Sequence, residues 1–117
     1  MSVVWYPEAA KKLRQVVIYI QTEYGSKSCT KFLKEAYRTE RLLARNPCLG
    51  PVEPFLADAP VQYRSVIVNR VNKIVYWING DIIEIVDFWD TRREPKQQAQ
   101  QQKEESQRYL RGTSDLL

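Results

Sequence analysis

The sequence has no histidine, only two cysteines and no long apolar run. Cys29 and Cys48 lack the spacing of metal ligands and have no histidine to complete a site, so we predict buried free thiols, no metal and no other cofactor. No apolar stretch approaches the roughly 20 residues that cross a bilayer, which predicts no membrane contact. In the first residues the basic side chains follow the apolar stretch, the reverse of a signal peptide, so we expect a cytoplasmic protein.

The length and composition are those of one ordinary folded domain. The chain has 117 residues, of which 44% are hydrophobic, and this composition argues against global disorder. Eighteen lysines and arginines stand against 14 acidic residues, which gives a net charge of +4. The excess lies before Glu94, because the charges from that residue onward balance. Such a modest excess is compatible with a nucleic-acid partner.

Three strand-like runs between Gln62 and Glu94 form the predicted centre of the protein. They are rich in the β-branched and aromatic residues that suit a half-buried sheet surface. Asn79-Gly80 separates the last two runs and tolerates the positive φ angles of a two-residue hairpin turn. A second short turn, around residues 69–72, separates the first two. The pattern therefore predicts a three-stranded antiparallel meander.

Alternation along the strands divides their side chains between two faces. The face taken as the core side carries Tyr63, Ser65, Ile67, Ile74, Tyr76 and Ile78. The other face carries Arg64, Val66, Val68, Lys73, Val75 and Trp77, with Arg92 and Arg93 just past the third strand. Only this second face gathers cations. We therefore expect Arg64, Lys73 and Arg92 to cluster on a face that the rest of the chain leaves open.

The residues before the meander predict a strand and two helices. Residues 2–6 form a short apolar run that fits an extra strand of the sheet. Pro7 suits the first turn of a helix, and apolar residues then recur at helical spacing until Gly25, which ends that helix. A second amphipathic helix follows and extends to Asn46-Pro47. The expected fold is thus α+β, with a helical hairpin on one face of the sheet.

Two further segments have no regular apolar pattern. Residues 46–61 contain four prolines and one glycine, so we expect a long loop that packs onto the domain. Residues 96–117 are polar and rich in glutamine, and they lack an apolar stripe. A helix without a buried face is marginal alone. We therefore predict one domain over residues 1–95 and a tail over residues 96–117 that is disordered or a marginal helix.

Several short segments in this order resemble the RelE/ParE family of bacterial toxins. They are Trp5-Tyr6-Pro7-x-Ala9, Asn46-Pro47-x-x-Gly50, Tyr63-Arg64-Ser65, Lys73-Ile74-Val75-Tyr76 and Phe88-Trp89-Asp90-Thr91-Arg92. The resemblance covers about residues 2–95. It implies the toxin of a type II toxin–antitoxin module, with a cognate antitoxin protein as partner.

Two toxic activities follow from the resemblance. RelE-like members cut messenger RNA in the ribosome without a metal, and ParE-like members inhibit DNA gyrase. We take RelE-like cleavage as the first hypothesis and gyrase inhibition as the second. A family member that binds its antitoxin but has lost toxicity is the third. The oligomeric state stays open.

The resemblance also implies a site. An arginine at the position of Arg92 stabilises the phosphate in RelE-like nucleases, and we assign that role to Arg92, helped by Arg64 and Lys73. Asp90 is a candidate for proton transfer, although an aspartate here is more often a turn residue or an arginine partner. Arg93 is a candidate substrate contact.

The sequence departs from the nucleases in two places. It lacks several lysines on the first meander strand and a tyrosine or histidine shortly after Arg92. Proton transfer would therefore depend on Asp90, Glu94, Tyr63 or a lysine. Trp77 is a further candidate contact, to the antitoxin first, and otherwise by packing or by base stacking.

Overall fold

The chain forms a four-stranded sheet flanked by helices on both sides. The structure, a computed structural model, describes residues 1–93 and 95–115, with side chains as far as residue 105. The elements are β1 (Ser2–Trp5), α1 (Pro7–Tyr24), α2 (Ser26–Arg45), a 3-10 turn (Pro54–Leu56), β2 (Arg64–Asn69), β3 (Asn72–Asn79), β4 (Ile82–Asp90) and α3 (Pro95–Asp115). The predicted α+β order is confirmed.

The sheet has the strand order β1-β4-β3-β2. The meander is antiparallel as predicted, and Gly80 has a φ of 63° in the turn between β3 and β4. The turn residues are Gly80 and Asp81, because Asn79, predicted to lie in the turn, ends β3 and pairs with Ile82. β1 joins parallel to β4, with Ser2 opposite Ile82 and Trp5 opposite Ile85. This parallel pairing requires a crossover, which the two helices supply.

The helical hairpin packs on one face of this sheet. Pro7 begins α1, and Gly25 ends it with a φ of 88°, a value that favours glycine. The buried residues of this first core come from both helices and three strands: Ala9, Phe32, Ala36, Leu43, Val68, Ile74, Tyr76, Ile83, Ile85 and Phe88. The expected helical cover on one face is therefore confirmed.

The predicted face of β2 is wrong, because β2 contains a bulge. A regular ladder around a turn at residues 70–71 would pair Ile67 with Ile74. The register shifts between Ile67 and Asn69, so that Val66 pairs with Ile74 and Ile67 pairs with Lys73. One extra residue reverses every side chain beyond it. Val66 and Val68 therefore face the helices, whereas Tyr63 lies in the core on the opposite face.

The opposite face is also covered, contrary to the prediction. A second core joins Leu56 and Ala99 to residues of the sheet, which are Tyr63, Val75, Val86 and Trp89. The 3-10 turn and the first turns of α3 provide this cover, as expected for the packed loop. In α3 the side chains of Gln98, Ala99 and Gln102 are at most 5% exposed. Residues 96–115 of the predicted tail therefore lie in a helix whose first turns have a buried face, a packing that the polar sequence does not predict.

The two cysteines differ in their surroundings. Cys29 is buried in α2 as predicted, whereas Cys48 is exposed in the loop after it, so the prediction for Cys48 is wrong. Within residues 1–93 and 95–115, no helix is both long and apolar enough to cross a membrane.

Candidate functional site

The three predicted cations do not form one cluster. Arg64 pairs with Tyr76 across the ladder and so shares the face that the helical hairpin covers. Lys73 pairs with Trp89 and lies on the opposite face. Arg92 follows the end of β4 and is bound to Asp90. The expectation that these groups meet on one open face is wrong, because the bulge in β2 turns Arg64 away from Lys73.

Arg64 fixes the loop after α2. Its Nη1 donates a hydrogen bond of 2.9 Å to the carbonyl oxygen of Gly50. The hydroxyl of Tyr76 donates to the carbonyl oxygen of Pro47 at 2.7 Å and accepts from the Gly50 N–H at 3.0 Å. Burial raises the pKa of Tyr76, so the phenol stays protonated and can donate. Arg64 is thus half-buried, and its guanidinium binds the backbone of the loop after α2.

Gly50 is required by a close approach of two backbones. A Cβ at this position would lie 2.2 Å from the carbonyl oxygen of Ser65 and 2.7 Å from its carbonyl carbon. These are backbone atoms of β2 and cannot rotate away. The segment Asn46-Pro47-x-x-Gly50, one carrier of the family resemblance, therefore has a structural reason in this chain: it seats the loop against β2 and Tyr76.

Lys73 makes an ion pair that the sequence pattern does not predict. Its Nζ lies 2.7 Å from Oε2 of Glu53, and Oγ of Ser65 donates to the same oxygen at 2.6 Å. The lysine also lies 4.9 Å from the ring centroid of Trp89. No periodic pattern could have found Glu53, because it lies in a proline-rich loop 20 residues before its partner. A single acidic residue between Pro51 and Pro54 was the only signal.

The carboxylate of Glu53 remains ionised although it is buried. Burial alone would raise the pKa of Glu53, but hydrogen bonds from Lys73 and Ser65 outweigh it and lower the pKa. The N–H of Phe55 also donates to this carboxylate, at 3.3 Å. A carboxylate beside an ammonium is the combination that metal-free RNA cleavage needs, a proton acceptor with a cation for the phosphate. The side chain of Glu53 is 0% exposed, however, so no substrate reaches it in this conformation.

Asp90 and Arg92 form an exposed, bidentate salt bridge at the end of β4. Nε of Arg92 lies 3.1 Å from Oδ1 of Asp90, and Nη2 lies 3.2 Å from Oδ2. The hydrogen bond from Arg92 lowers the pKa of Asp90, and the same contact raises the pKa of Arg92. Asp90 is therefore an arginine partner, the alternative weighed in the sequence analysis. The arginine is 66% exposed and retains access to solvent.

A groove of about 870 Å³ lies between this pair and the tip of the helical hairpin. Tyr19 and Tyr24 line it on the helical side, with ring centroids 6.2 Å apart in an edge-to-face arrangement. Arg92 and Arg93 line it on the sheet side. A hydrogen bond with Tyr24 raises the pKa of Tyr19. Both rings are more than half exposed, and neither was a predicted site residue.

The two predicted substrate contacts lie apart. Trp77 is half-buried against the second core and pairs with Glu84, which is the packing alternative of the sequence analysis. Arg93 is exposed, and its N–H donates to the carbonyl oxygen of Asp90 at 3.1 Å. Of the predicted residues, the structure therefore brings together only Asp90, Arg92 and Arg93.

Comparison with known proteins identifies the fold. No protein-family model matches the sequence, and no curated protein matches it significantly. Several solved structures, in contrast, match this chain in fold. A chain of the chromosomal ParDE TA system from P. aeruginosa aligns with a TM-score of 0.63 and 19% identity, covering 77% of this chain and 95% of that one. The YoeB/ParE toxin from Agrobacterium tumefaciens aligns with a TM-score of 0.54 and 19% identity, covering 77% and 98%.

A YoeB–YefM complex from Staphylococcus aureus contains a third similar chain, with a TM-score of 0.51, 20% identity and coverage of 76% and 94%. The protein thus has the fold of the ParE and YoeB toxins, as the resemblance implied. Nearly the whole of each matched chain has a counterpart here, whereas about a quarter of this chain has none in them.

Proposed function

We propose that this protein is the toxin of a type II toxin–antitoxin module and that a cognate antitoxin protein binds and neutralises it. The observation that supports this proposal is the match in fold over 94–98% of the length of the ParE and YoeB structures. A complex of YoeB with YefM is among them, and by analogy the partner of this chain would be a protein.

Controlled expression in a bacterial host tests this proposal. We expect growth arrest on induction and recovery when the product of an adjacent short reading frame is expressed with it. A Leu43→Asp variant serves as control, because Leu43 is 0% exposed in the first core and a charge there prevents folding. Normal growth with a folded, soluble wild-type chain would contradict toxicity and leave the non-toxic relative of the third hypothesis.

For the mode of action we propose inhibition of a protein target, DNA gyrase, in the manner of ParE-like members. Gyrase inhibition, the second hypothesis from the sequence, thus takes precedence over RelE-like cleavage in this proposal. The supporting observation is the lack of convergence of Arg64, Lys73 and Arg92, together with the accessible groove that Tyr19, Tyr24 and Arg92 line. Binding a protein requires exposed aromatic and arginine side chains but no proton-transfer group.

A supercoiling assay with purified gyrase tests this mode. We expect inhibition by the wild-type protein, and a loss of about tenfold or more in potency for Tyr19→Ala/Tyr24→Ala, since aromatic anchors carry much of an interface's free energy. Ile67→Ala is the matched control, because Ile67 is 65% exposed on another surface. Unchanged supercoiling at all toxin concentrations would exclude gyrase as the target.

RNA cleavage is the second candidate, and the contact of Glu53 with Lys73 favours it. This activity would require the cover of the second core to move, so that RNA reaches the pair. The predicted roles of Arg92, Asp90, Arg93 and Trp77 toward RNA remain proposals. Primer extension on ribosome-bound messenger RNA should then show cuts that Lys73→Gln and Arg92→Ala remove and Lys11→Gln retains. Intact RNA with the wild-type chain would exclude the activity.

A further inference from the structure

The outer face of α2 carries a continuous stripe of six cations. They are Lys27, Lys31, Lys34, Arg38, Arg41 and Arg45, and all six are exposed. Their spacing alternates between four and three residues, which keeps them within one narrow strip of the helix surface. At 1.5 Å per residue the stripe is about 27 Å long. We call these six residues the α2 stripe.

Helix α2, which carries the stripe, accounts for the whole charge excess of the protein. Within Ser26–Arg45 the six cations face two acidic residues, Glu35 and Glu40, an excess of four, and the chain as a whole has a net charge of +4. The remaining 12 cations and 12 acidic residues therefore balance. The net positive charge of this protein therefore lies on one helix.

The α2 stripe also opposes the stability of its own helix. Lys27 and Lys31, Lys34 and Arg38, and Arg41 and Arg45 are like-charged pairs at i,i+4, a spacing at which equal charges repel. The first turn of α2 has no acidic residue, and Lys27 stands there at the positive end of the helix dipole. Among the described residues, no ion pair closer than 4 Å joins any of the six to a carboxylate. A bound polyanion would relieve this repulsion.

The surface beside the α2 stripe is concave at one end. A shallow depression of about 600 Å³ is lined by Ser26, Lys27, Thr30, Lys31, Lys34 and Glu35. Two hydroxyl groups therefore lie beside three ammonium groups. Hydroxyls and ammonium groups are both common donors to phosphate oxygens.

We propose that the α2 stripe binds the phosphate backbone of a nucleic-acid duplex. Its charge, its length and its straightness suit a regular row of phosphates, and each cation placed on a phosphate releases condensed counterions. A single strand is less suited, because single-strand sites stack successive bases on several aromatic side chains, whereas within α2 only Tyr37 is an exposed aromatic beside the stripe. The proposal does not depend on the protein being a toxin, because Lys31 is the one stripe residue that also lines the groove of Tyr19 and Tyr24, and the other five lie outside that groove.

Fluorescence anisotropy with labelled 20-base-pair DNA and RNA duplexes tests this proposal on the full chain. We expect binding that weakens steeply with salt. In Lys34→Gln/Arg38→Gln the affinity should fall about tenfold or more at 0.1 M salt, and the slope of log K against log salt should decrease by about 2. Preference for one duplex identifies the source of the phosphates, and equal binding identifies backbone recognition shared by both.

The matched control is Lys11→Gln/Arg14→Gln, which removes two exposed cations from α1 instead. This variant has the same net charge, and we expect it to retain affinity within about twofold of the wild type. Thermal melting followed by circular dichroism verifies that both variants fold. The proposal is overturned if neither duplex binds at 50 mM salt, if both variants lose affinity equally, or if a poly-glutamate peptide competes as well as the duplex does.

Discussion

Glu53 is an anion enclosed by protein, and its three hydrogen-bond donors come from two strands and its own loop. Replacing it by glutamine removes the charge that Lys73 faces while preserving the shape of the side chain. We expect Glu53→Gln to lower the free energy of unfolding at pH 7 by about 1–3 kcal/mol, the range for breaking a buried hydrogen bond to a charged group.

The pH dependence of this loss follows from the direction of the pKa shift. The pKa of Glu53 is lower in the folded protein than in the unfolded chain, where it is about 4.3. Its stabilising contribution is therefore complete above that value and disappears as the pH falls through the folded pKa. Urea denaturation from pH 7 to pH 3 should show the gap between the wild type and Glu53→Gln narrowing. An equal gap at every pH would refute ionisation of Glu53, and Glu23→Gln, at an exposed position of α1, is the control.

The candidate site was only partly predictable from single residues. Asp90 and Arg92 are two positions apart, so local chain geometry permits their pairing. The sequence therefore already suggests that Asp90 is an arginine partner. Glu53 and Lys73 meet through a loop and a strand 20 residues apart, and sequence alone offers no rule for that contact. Arg64 was misplaced because its face depends on the bulge in β2, and the sequence has no glycine there to signal one.

The strands illustrate the same limit for whole elements. The two-residue turn at Gly80 and Asp81, one residue later than the predicted turn, fixes the pairing of β3 with β4. Residue types alone identify all three strands of the meander. Register is a finer property, because one inserted residue exchanges the two faces. Both ladders of the meander contain such a shift, one between Ile67 and Asn69 and one between Val75 and Tyr76. An error of one residue in register leaves the predicted fold class unchanged, but it places a predicted site residue on the wrong face of the sheet.

α3 has a polar sequence and yet packs, because a few small or amide side chains face the sheet. Ala99 is 3% exposed and lies in the second core with Trp89 and Leu56. The side-chain amide of Gln98 accepts a hydrogen bond from the Asp90 N–H and donates one to the Asp90 carbonyl oxygen, each 3.0 Å long. Such a face contains no large apolar residue, so apolar periodicity does not predict that this helix packs.

A charge at position 99 would therefore disrupt the docking of α3. We expect Ala99→Asp to lower the free energy of unfolding by about 1–3 kcal/mol, because the carboxylate loses water without gaining a partner. Gln101→Asp is the control, since Gln101 is exposed on the same helix. The lower helix propensity of aspartate relative to alanine accounts for at most about 0.7 kcal/mol of the loss in Ala99→Asp. Chemical denaturation monitored by tryptophan fluorescence measures both. Equal losses in the two variants would contradict the buried position of Ala99.

At the scale of the whole molecule, the sheet is a layer between two covers of unequal strength. The helical hairpin contributes four buried residues to the first core, whereas the 3-10 turn and α3 contribute Leu56 and Ala99 to the second. The element order and the cover by the helical hairpin were predictable, because the apolar stripe of an amphipathic helix indicates the face that it buries. The second cover was not, because its residues are separated by a proline-rich loop and a glutamine-rich helix.

A chain that ends after Arg93 tests the predicted division into a domain and a tail. The first core does not involve α3, so we expect the shortened chain to fold with α1, α2 and the sheet intact. It should unfold at a lower temperature than the full chain and bind a hydrophobic dye, because Trp89, Val86 and Val75 lose the cover that Ala99 provides. Circular dichroism, dye fluorescence and sedimentation velocity measure these changes. Loss of all folded structure would show that residues 1–95 are not an independent domain, and an unchanged melting temperature with no dye binding would show that α3 does not shield the sheet.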